Sequence, residues 1–138
     1  MIAIGSDHGG FELKGHIIEH LKEKGIEVKD FGTYSEASVD YPDCAKPVCK
    51  AVLDGECECG ILICGTGIGI SMAANKFKGI RAALCGDVFS AKMSKEHNNA
   101  NVICLGGRVL GRELANMIVD TYLEAEFQEI GRASCRER

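Results

Sequence analysis

Ile61-Leu-Ile-Cys-Gly-Thr-Gly-Ile-Gly-Ile-Ser71 decides how the chain folds. Three apolar residues run into Cys64, glycines follow at 65, 67 and 69, and Ser71-Met-Ala-Ala-Asn75 reads as the opening of a helix. An apolar run, a glycine turn and a helix start are the strand, loop and helix of an α/β domain. Glycine lets a backbone approach a ligand closely and aim several N–H groups at one point. A helix N-terminus adds partial positive charge, so the loop suits something anionic. Cys64 stands at its mouth, and a thiol beside a helix N-terminus has its thiolate form stabilised. Two plainer readings stand alongside: a cysteine that ends a strand is commonly core packing, and a glycine-rich turn can be only a tight connection. No Gly-Lys-Ser/Thr ending follows, which excludes a P-loop. The third glycine falls one residue short of the dinucleotide fingerprint. Asp87 nevertheless lies near the spacing of an acidic ribose ligand, which keeps a cofactor-binding reading open.

Outward from this stretch, 138 residues suit one domain with a sizeable core. The composition, 46% hydrophobic and 26% charged, is that of a soluble globular protein. No apolar run approaches the roughly 20 residues that span a membrane, and the first residues lack a signal-peptide pattern. A net charge of −4 with scattered basic residues argues against nucleic acid as a partner. The eight cysteines are irregularly spaced. Cys57-x-Cys59 and Cys44-x4-Cys49 do not make the paired Cys-x-x-Cys of a zinc or redox centre, so reduced thiols in a cytoplasmic protein are expected.

Met1 to Ser6 reads as a buried strand and Asp7-His-Gly-Gly10 as its exit loop. Leu13, Ile17 and Leu21 recur at every fourth position, an amphipathic helix that Gly25 ends. Ile26 to Phe31 is the second strand and Gly32 to Asp40 a polar loop. Tyr41-Pro42 opens a helix marked by Ala45, Val48 and Val52, in which Pro47 is awkward. The central strand and its helix come next, the helix ending near Phe77-Lys78-Gly79. Ile80 to Cys85 is the fourth strand, Gly86 to Glu96 the fourth helix, and Val102 to Leu105 the fifth strand. Leu110, Leu114, Met117 and Ile118 mark a last helix. Alternating strands and helices without a composition break predict one parallel-sheet α/β/α domain, with ligands at the carboxyl ends of the strands. Asp7, His8, Cys64, Thr66, Asp87 and Arg108 all fall just after strands, while His97 and Asn98 immediately precede one.

Gly5-Ser-Asp-His-Gly-Gly10, Asp40-Tyr-Pro-Asp43, Ile63 to Ser71, Ala73-Ala-Asn-Lys76, Gly79-Ile-Arg-Ala82, His97-Asn-Asn99 and Gly106-Gly-Arg108 carry a close resemblance over nearly the whole chain. In this order they resemble the ribose-5-phosphate isomerase B family, whose wider membership includes galactose-6-phosphate and allose-6-phosphate isomerases. The resemblance implies a Rossmann-like five-stranded parallel sheet in a three-layer α/β/α domain. It also implies a homodimer or dimer of dimers with active sites at the subunit interface, and neither metal nor organic cofactor. The implied reaction interconverts ribose 5-phosphate and ribulose 5-phosphate through a cis-enediolate, in the non-oxidative pentose phosphate pathway. By similarity Cys64 is the base, and the amides of Gly65, Thr66, Gly67, Ile68 and Gly69 with the Thr66 side chain hold the enediolate. The phosphate, at the far end of a pentose from C1 and C2, is then met elsewhere. His97 resembles the acid that opens the furanose ring, a task suited to imidazole near neutral pH. Asp7, His8, Tyr41 and Asn98 match substrate-binding positions and Arg108 a phosphate ligand. Taken singly, Asp7 also reads as an N-cap, His97 as a charge at a helix C-terminus and Arg108 as a surface charge. A second branch of the family replaces the cysteine by a glutamate within the loop. Ile70 occupies that position here, so the chain is of the cysteine type.

The family usually closes with Gly-Arg-His-x-x-Arg, whose arginines grip phosphate in the partner's site. Here Glu129 to Arg138 has Arg132 and Arg136 at that mutual spacing, but Ala133 in place of the histidine, and resembles translated sequencing-adapter DNA. The expected division is an isomerase domain over 1–128 and a non-native tail over 129–138. Three alternatives to the pentose reading remain: an allose-6-phosphate isomerase, a galactose-6-phosphate isomerase, and a non-catalytic module that binds a sugar phosphate or nucleotide.

Overall fold

Alternation of apolar side chains across each central strand builds the two cores. In the computed structural model, which describes residues 1–32 and 41–128 and of Tyr41 and Pro42 only the backbone, these strands are β1 (Ile2–Ser6), β3 (Cys59–Cys64) and β5 (Val102–Gly106). Successive side chains of a strand point to opposite faces. Ile2, Ile4, Ile61, Ile63, Ile103 and Leu105 turn to one face and meet α1 (Phe11–Glu23), α4 (Val88–Glu96) and α5 (Arg112–Glu124). Ala3, Leu62, Cys64, Val102 and Cys104 turn to the other and meet α2 (Tyr41–Leu53) and α3 (Ile68–Ala74). The result is the expected three-layer α/β/α domain with a parallel sheet of five strands.

The strand order is β2-β1-β3-β5-β4, where β2 is Val28–Asp30 and β4 is Ala82–Leu84. From β1 the chain crosses outward to β2, then returns past β1 to lay down β3. The order therefore switches between β1 and β3, and ligands of open α/β sheets bind in the crevice outside such a switch. Both edge strands are shorter than the apolar runs Ile26–Phe31 and Ile80–Cys85 suggest. Each has a ladder partner on one side alone, through Ile2↔Val28 to Ile4↔Asp30 and Ala82↔Val102 to Leu84↔Cys104.

Two helices depart from their sequence reading, and a third meets it in spite of its proline. Pro47 lies inside α2, which continues to Leu53. Its ring removes one backbone bond, and the buried Cys44, Ala45, Val48 and Cys49 hold the helix on the sheet regardless. The last helix buries Ala115, Ile118, Val119 and Tyr122, whereas Leu114 and Met117 are 38% and 57% exposed. Of the four residues that marked it, Ile118 alone is buried in the core, because small Ala115 and the aromatic Tyr122 define the packed stripe. The Tyr122 hydroxyl is satisfied inside, donating to the Ala100 carbonyl at 2.6 Å. The helix after the glycine loop is only seven residues long, so its dipole is small.

Lys14 on α1 is 2% exposed and donates to both oxygens of Asp30 at 2.9 and 3.0 Å. Asp30 Oδ1 also accepts from Gly32 N–H at 2.9 Å, and the Gly32 carbonyl accepts from Ser6 N–H at 3.0 Å. This chain of contacts fastens the exit of β2 beside the exit of β1. The rest of the predicted polar loop, 33–40, lies outside the described residues.

Candidate active site

Three exit loops meet at the carboxyl edge of the sheet, packed backbone against backbone through glycines. A Cβ on Gly107 would lie 2.5 Å from the Gly9 carbonyl oxygen, and one on Gly9 2.9 Å from Gly65 N. A Cβ on Gly10 would lie 2.6 Å from the Ile63 oxygen. Gly107 N–H donates to the Cys64 carbonyl at 2.8 Å and Arg108 N–H to that of Gly65 at 2.9 Å. The loops after β1, β3 and β5 thus form one unit around the switch point. Gly107→Ala is expected to cost about 1–3 kcal/mol of stability in chemical denaturation, because backbone cannot step aside as a side chain can. Gly111→Ala, with φ −77° and open space at its Cβ, is expected to stay within about 0.5 kcal/mol.

Cys64 ends β3 at 4% exposure, so its core-packing reading is partly right. Its sulfur is nonetheless engaged from the loop: Gly67 N–H donates to Sγ at 3.1 Å. Gly67 can aim that amide because it takes φ +84°, a conformation costly for any side-chain-bearing residue. The contact places a proton donor directly on the sulfur, the arrangement a thiolate needs, and does so without relying on the short helix dipole. Ile68 N–H is also engaged within the loop, donating to Thr66 Oγ1 at 3.3 Å. Thr66 and Ile68 are exposed, and Gly65 and Gly69 are half-buried.

Asp7 follows β1, is 7% exposed, and its Oδ1 accepts from Gly9 N–H at 2.8 Å. It caps the 3₁₀ turn His8–Gly10, as its plainer reading predicted, and by doing so shapes the loop that touches Gly65. His8 is half-buried. Among the described residues, His8 Nδ1 and Ser6 Oγ are buried without a hydrogen-bond partner. Sequence reading passed over Ser6; its signal was a small polar residue closing an apolar strand at the ligand edge. Arg108 is exposed and its guanidinium lies across Gly65, 3.4 Å from where a Cβ would stand. Tyr41 opens α2, and its side chain lies outside the described residues, as do Arg132 and Arg136.

His97 and Asn98 are not with the others. They are exposed at the C-terminal end of α4, before β5, at the amino edge of the sheet. The register pairs Gly60 with Val102 and Cys64 with Gly106. Four strand steps, about 13 Å, therefore separate the two edges along the sheet axis. Within one chain His97 does not reach Cys64.

Asp87 answers the nucleotide reading. Its Oδ1 accepts from Ser90 N–H at 2.6 Å and its Oδ2 from Ser90 Oγ at 2.8 Å, so it is the N-cap of α4. These bonds hold its carboxyl below the usual carboxylate range. Among the described residues, no group of three or more His, Cys, Asp or Glu side chains is placed to hold a metal ion. The seven cysteines there are buried thiols, and burial pushes Cys49 and Cys59 up to about 11 and holds Cys104 well above the usual thiol value.

The fold defines a parallel α/β protein with a cysteine-bearing glycine loop at its switch point. The chain belongs to the Ribose/Galactose Isomerase family, whose model matches residues 2–137. It is 55% identical over 127 residues to ribose-5-phosphate isomerase B of Escherichia coli K12, covering 92% of this chain and 85% of that one. It is 48% identical to galactose-6-phosphate isomerase subunit LacB of Clostridium acetobutylicum, over 93% of this chain and 74% of that one. The solved ribose-5-phosphate isomerase B of Clostridium thermocellum superposes with a TM-score of 0.95 at 57% identity, over 97% and 90% of the two chains.

Proposed function

We propose that the chain is a cofactor-independent aldose–ketose isomerase that interconverts ribose 5-phosphate and ribulose 5-phosphate. The observation that carries this reading is Cys64 Sγ, held by the Gly67 amide at the switch-point crevice, in a chain 55% identical to a named ribose-5-phosphate isomerase B. The Cys64 thiolate removes the C2 proton of the open-chain aldose, and the electron pair flows through C1 onto O1 to give a cis-enediolate. The thiol returns the proton to C1 while the hydroxyl proton of O2 passes to O1, leaving a ketone at C2. Loop donors around Gly65, Thr66 and Gly69 stabilise the enediolate, preorganised charge stabilisation of the oxyanion-hole kind. Asp7 and His8 line the neighbouring loop for the substrate hydroxyls, Tyr41 stands at the start of α2, and Arg108 supplies charge for the phosphate.

His97, with Asn98 beside it, opens the furanose ring and comes from a second copy of the chain. The separation of the two sheet edges supports this, because a site that uses both Cys64 and His97 has to be assembled between copies. Exposed apolar side chains of the kind such an assembly buries stand on the helix after the loop, at the end of β4 and at the start of α4: Ile68 at 52%, Met72 at 65%, Leu84 at 44% and Phe89 at 70%. The reading is accordingly of a homodimer, or a dimer of dimers. Buried thiols fit a reducing, cytoplasmic setting, and no helix among the described residues is long and apolar enough to cross a membrane. Arg132 and Arg136 are assigned no part in this reading, and the family match runs on to residue 137.

An isomerisation assay with ribose 5-phosphate, allose 6-phosphate and galactose 6-phosphate side by side tests the reading. The expected result is the highest kcat/KM on ribose 5-phosphate. A preference for either hexose would move the chain to another branch, and turnover of none would leave a binding module.

A further inference from the structure

The Gly79-Ile-Arg-Ala82 motif has no part in the mechanism above, yet its arginine makes a specific set of contacts. Arg81 stands just before edge strand β4, at the amino edge of the sheet. Its backbone is clamped by Asn101: Arg81 N–H donates to Asn101 Oδ1 at 2.8 Å, and the Arg81 carbonyl accepts from Asn101 N–H at 3.1 Å. Asn101 Nδ2 also donates to the Gly79 carbonyl at 2.9 Å. Next to it, Asn75 holds both backbone groups of Ala82, at 2.8 and 2.9 Å. The guanidinium thus leaves from a fixed root.

It reaches the end of α4. Arg81 Nε donates to the Asn98 carbonyl at 2.9 Å and to that of Asn99 at 3.4 Å, and Nη2 also donates to Asn98 O. These carbonyls lie just past the C-terminus of α4, whose C-cap is His97, at the helix end where a cation is favoured. Asn99, in the turn that leaves α4, has φ +49°, uncommon for a residue with a side chain. Arg81 also lines a cavity of about 340 Å³, together with Asn75, Ser94 and Asn98 among others. A planar fork with several fixed donors sets a backbone turn in a way that a single ammonium does not.

We propose that Arg81 is a positioning residue that sets the His97–Asn98 turn, and with it the imidazole presented to the neighbouring copy's site. The proposal rests on the ring-opening role given to His97 above. Arg81 touches neither substrate nor reacting atoms, and acts through the carbonyls of Asn98 and Asn99.

The test compares two substrates. Ribose 5-phosphate needs its furanose opened, whereas an aldotetrose 4-phosphate has its O4 esterified and cannot close a furanose. Arg81→Gln is expected to lower kcat on ribose 5-phosphate on the order of 10- to 100-fold, the scale of a slightly misplaced catalytic group. Turnover of the tetrose phosphate should stay within about twofold of the parent, since only a ring-opening defect is expected. In a His97→Asn background, Arg81→Gln should add no further loss. Arg81→Lys, which keeps the charge and loses the fork, should fall between, and carries the same comparison if the glutamine variant does not fold. Equal losses on both substrates while His97→Asn discriminates between them would overturn the inference, because that is the pattern of a merely structural residue. A His97→Asn variant that itself fails to discriminate overturns the His97 assignment, and this inference with it.

Discussion

Cys64→Ser is expected to lower kcat by at least ~100-fold with KM little changed, the low end for loss of a general base. Serine keeps the size and can still accept the Gly67 amide bond that the sulfur accepts at 3.1 Å. What it loses is the thiol itself, since a serine hydroxyl is a far weaker acid than any thiol and stays protonated. The substrate contacts proposed for Asp7, Gly65 and Arg108 are untouched by the change, so binding should be spared while proton transfer fails. The remaining cysteines serve as controls. Alanine at Cys44, Cys49, Cys57, Cys85 or Cys104 should affect packing rather than chemistry. Burial holds the Cys49 and Cys59 thiols at about 11, protonated and unreactive at neutral pH. Inactivation by iodoacetamide should therefore track modification of Cys64, and substrate should protect. Near-normal turnover in Cys64→Ser would return Cys64 to the core residue that its 4% exposure also suggests.

His97→Asn is the second large effect, and it should depend on the form of the sugar. On ribose 5-phosphate, kcat should fall on the order of 100-fold, since the ring oxygen loses its proton donor. On an aldotetrose 4-phosphate, which arrives open, the loss should be several times smaller. Cys64→Ser should show no such split, because every aldose has to surrender its C2 proton. Similar losses on both sugars would remove His97 from ring opening.

The central strands were legible because Ile2, Ile4, Ile61, Ile63, Ile103 and Leu105 are separated by single residues that face the opposite core. The glycine loop and Asp7-His8 were legible as neighbours at the carboxyl edge because strand order in such a sheet brings their exits together. Edge strands were over-read, since apolar character at Ile80 or Ile26 does not say where ladder partners stop. Leu114 and Met117 misled for a related reason: they sit at helical spacing from Leu110 and Ile118 yet face outward, 38% and 57% exposed. The interlocking of Gly9, Gly65 and Gly107 could not be read at all, because close approach depends on three loops distant in sequence. Nor could the Arg81 contact to the turn after α4, which joins backbone carbonyls that carry no side-chain signature. Asp87 matched a ribose-ligand spacing, but local hydrogen bonding to Ser90 makes it a cap.

The central claim is that each active site takes Cys64 from one copy and His97 from another, and mixed dimers test it directly. Cys64→Ser and His97→Asn chains bearing different tags are co-expressed, and dimers retaining both tags are isolated and assayed on ribose 5-phosphate. In such a dimer one site carries both substitutions and the other carries neither, because an interface site draws its two residues from different chains. The account predicts about half the wild-type activity per dimer, from two parents that are each nearly inactive. Mixed dimers no more active than their parents would contradict it.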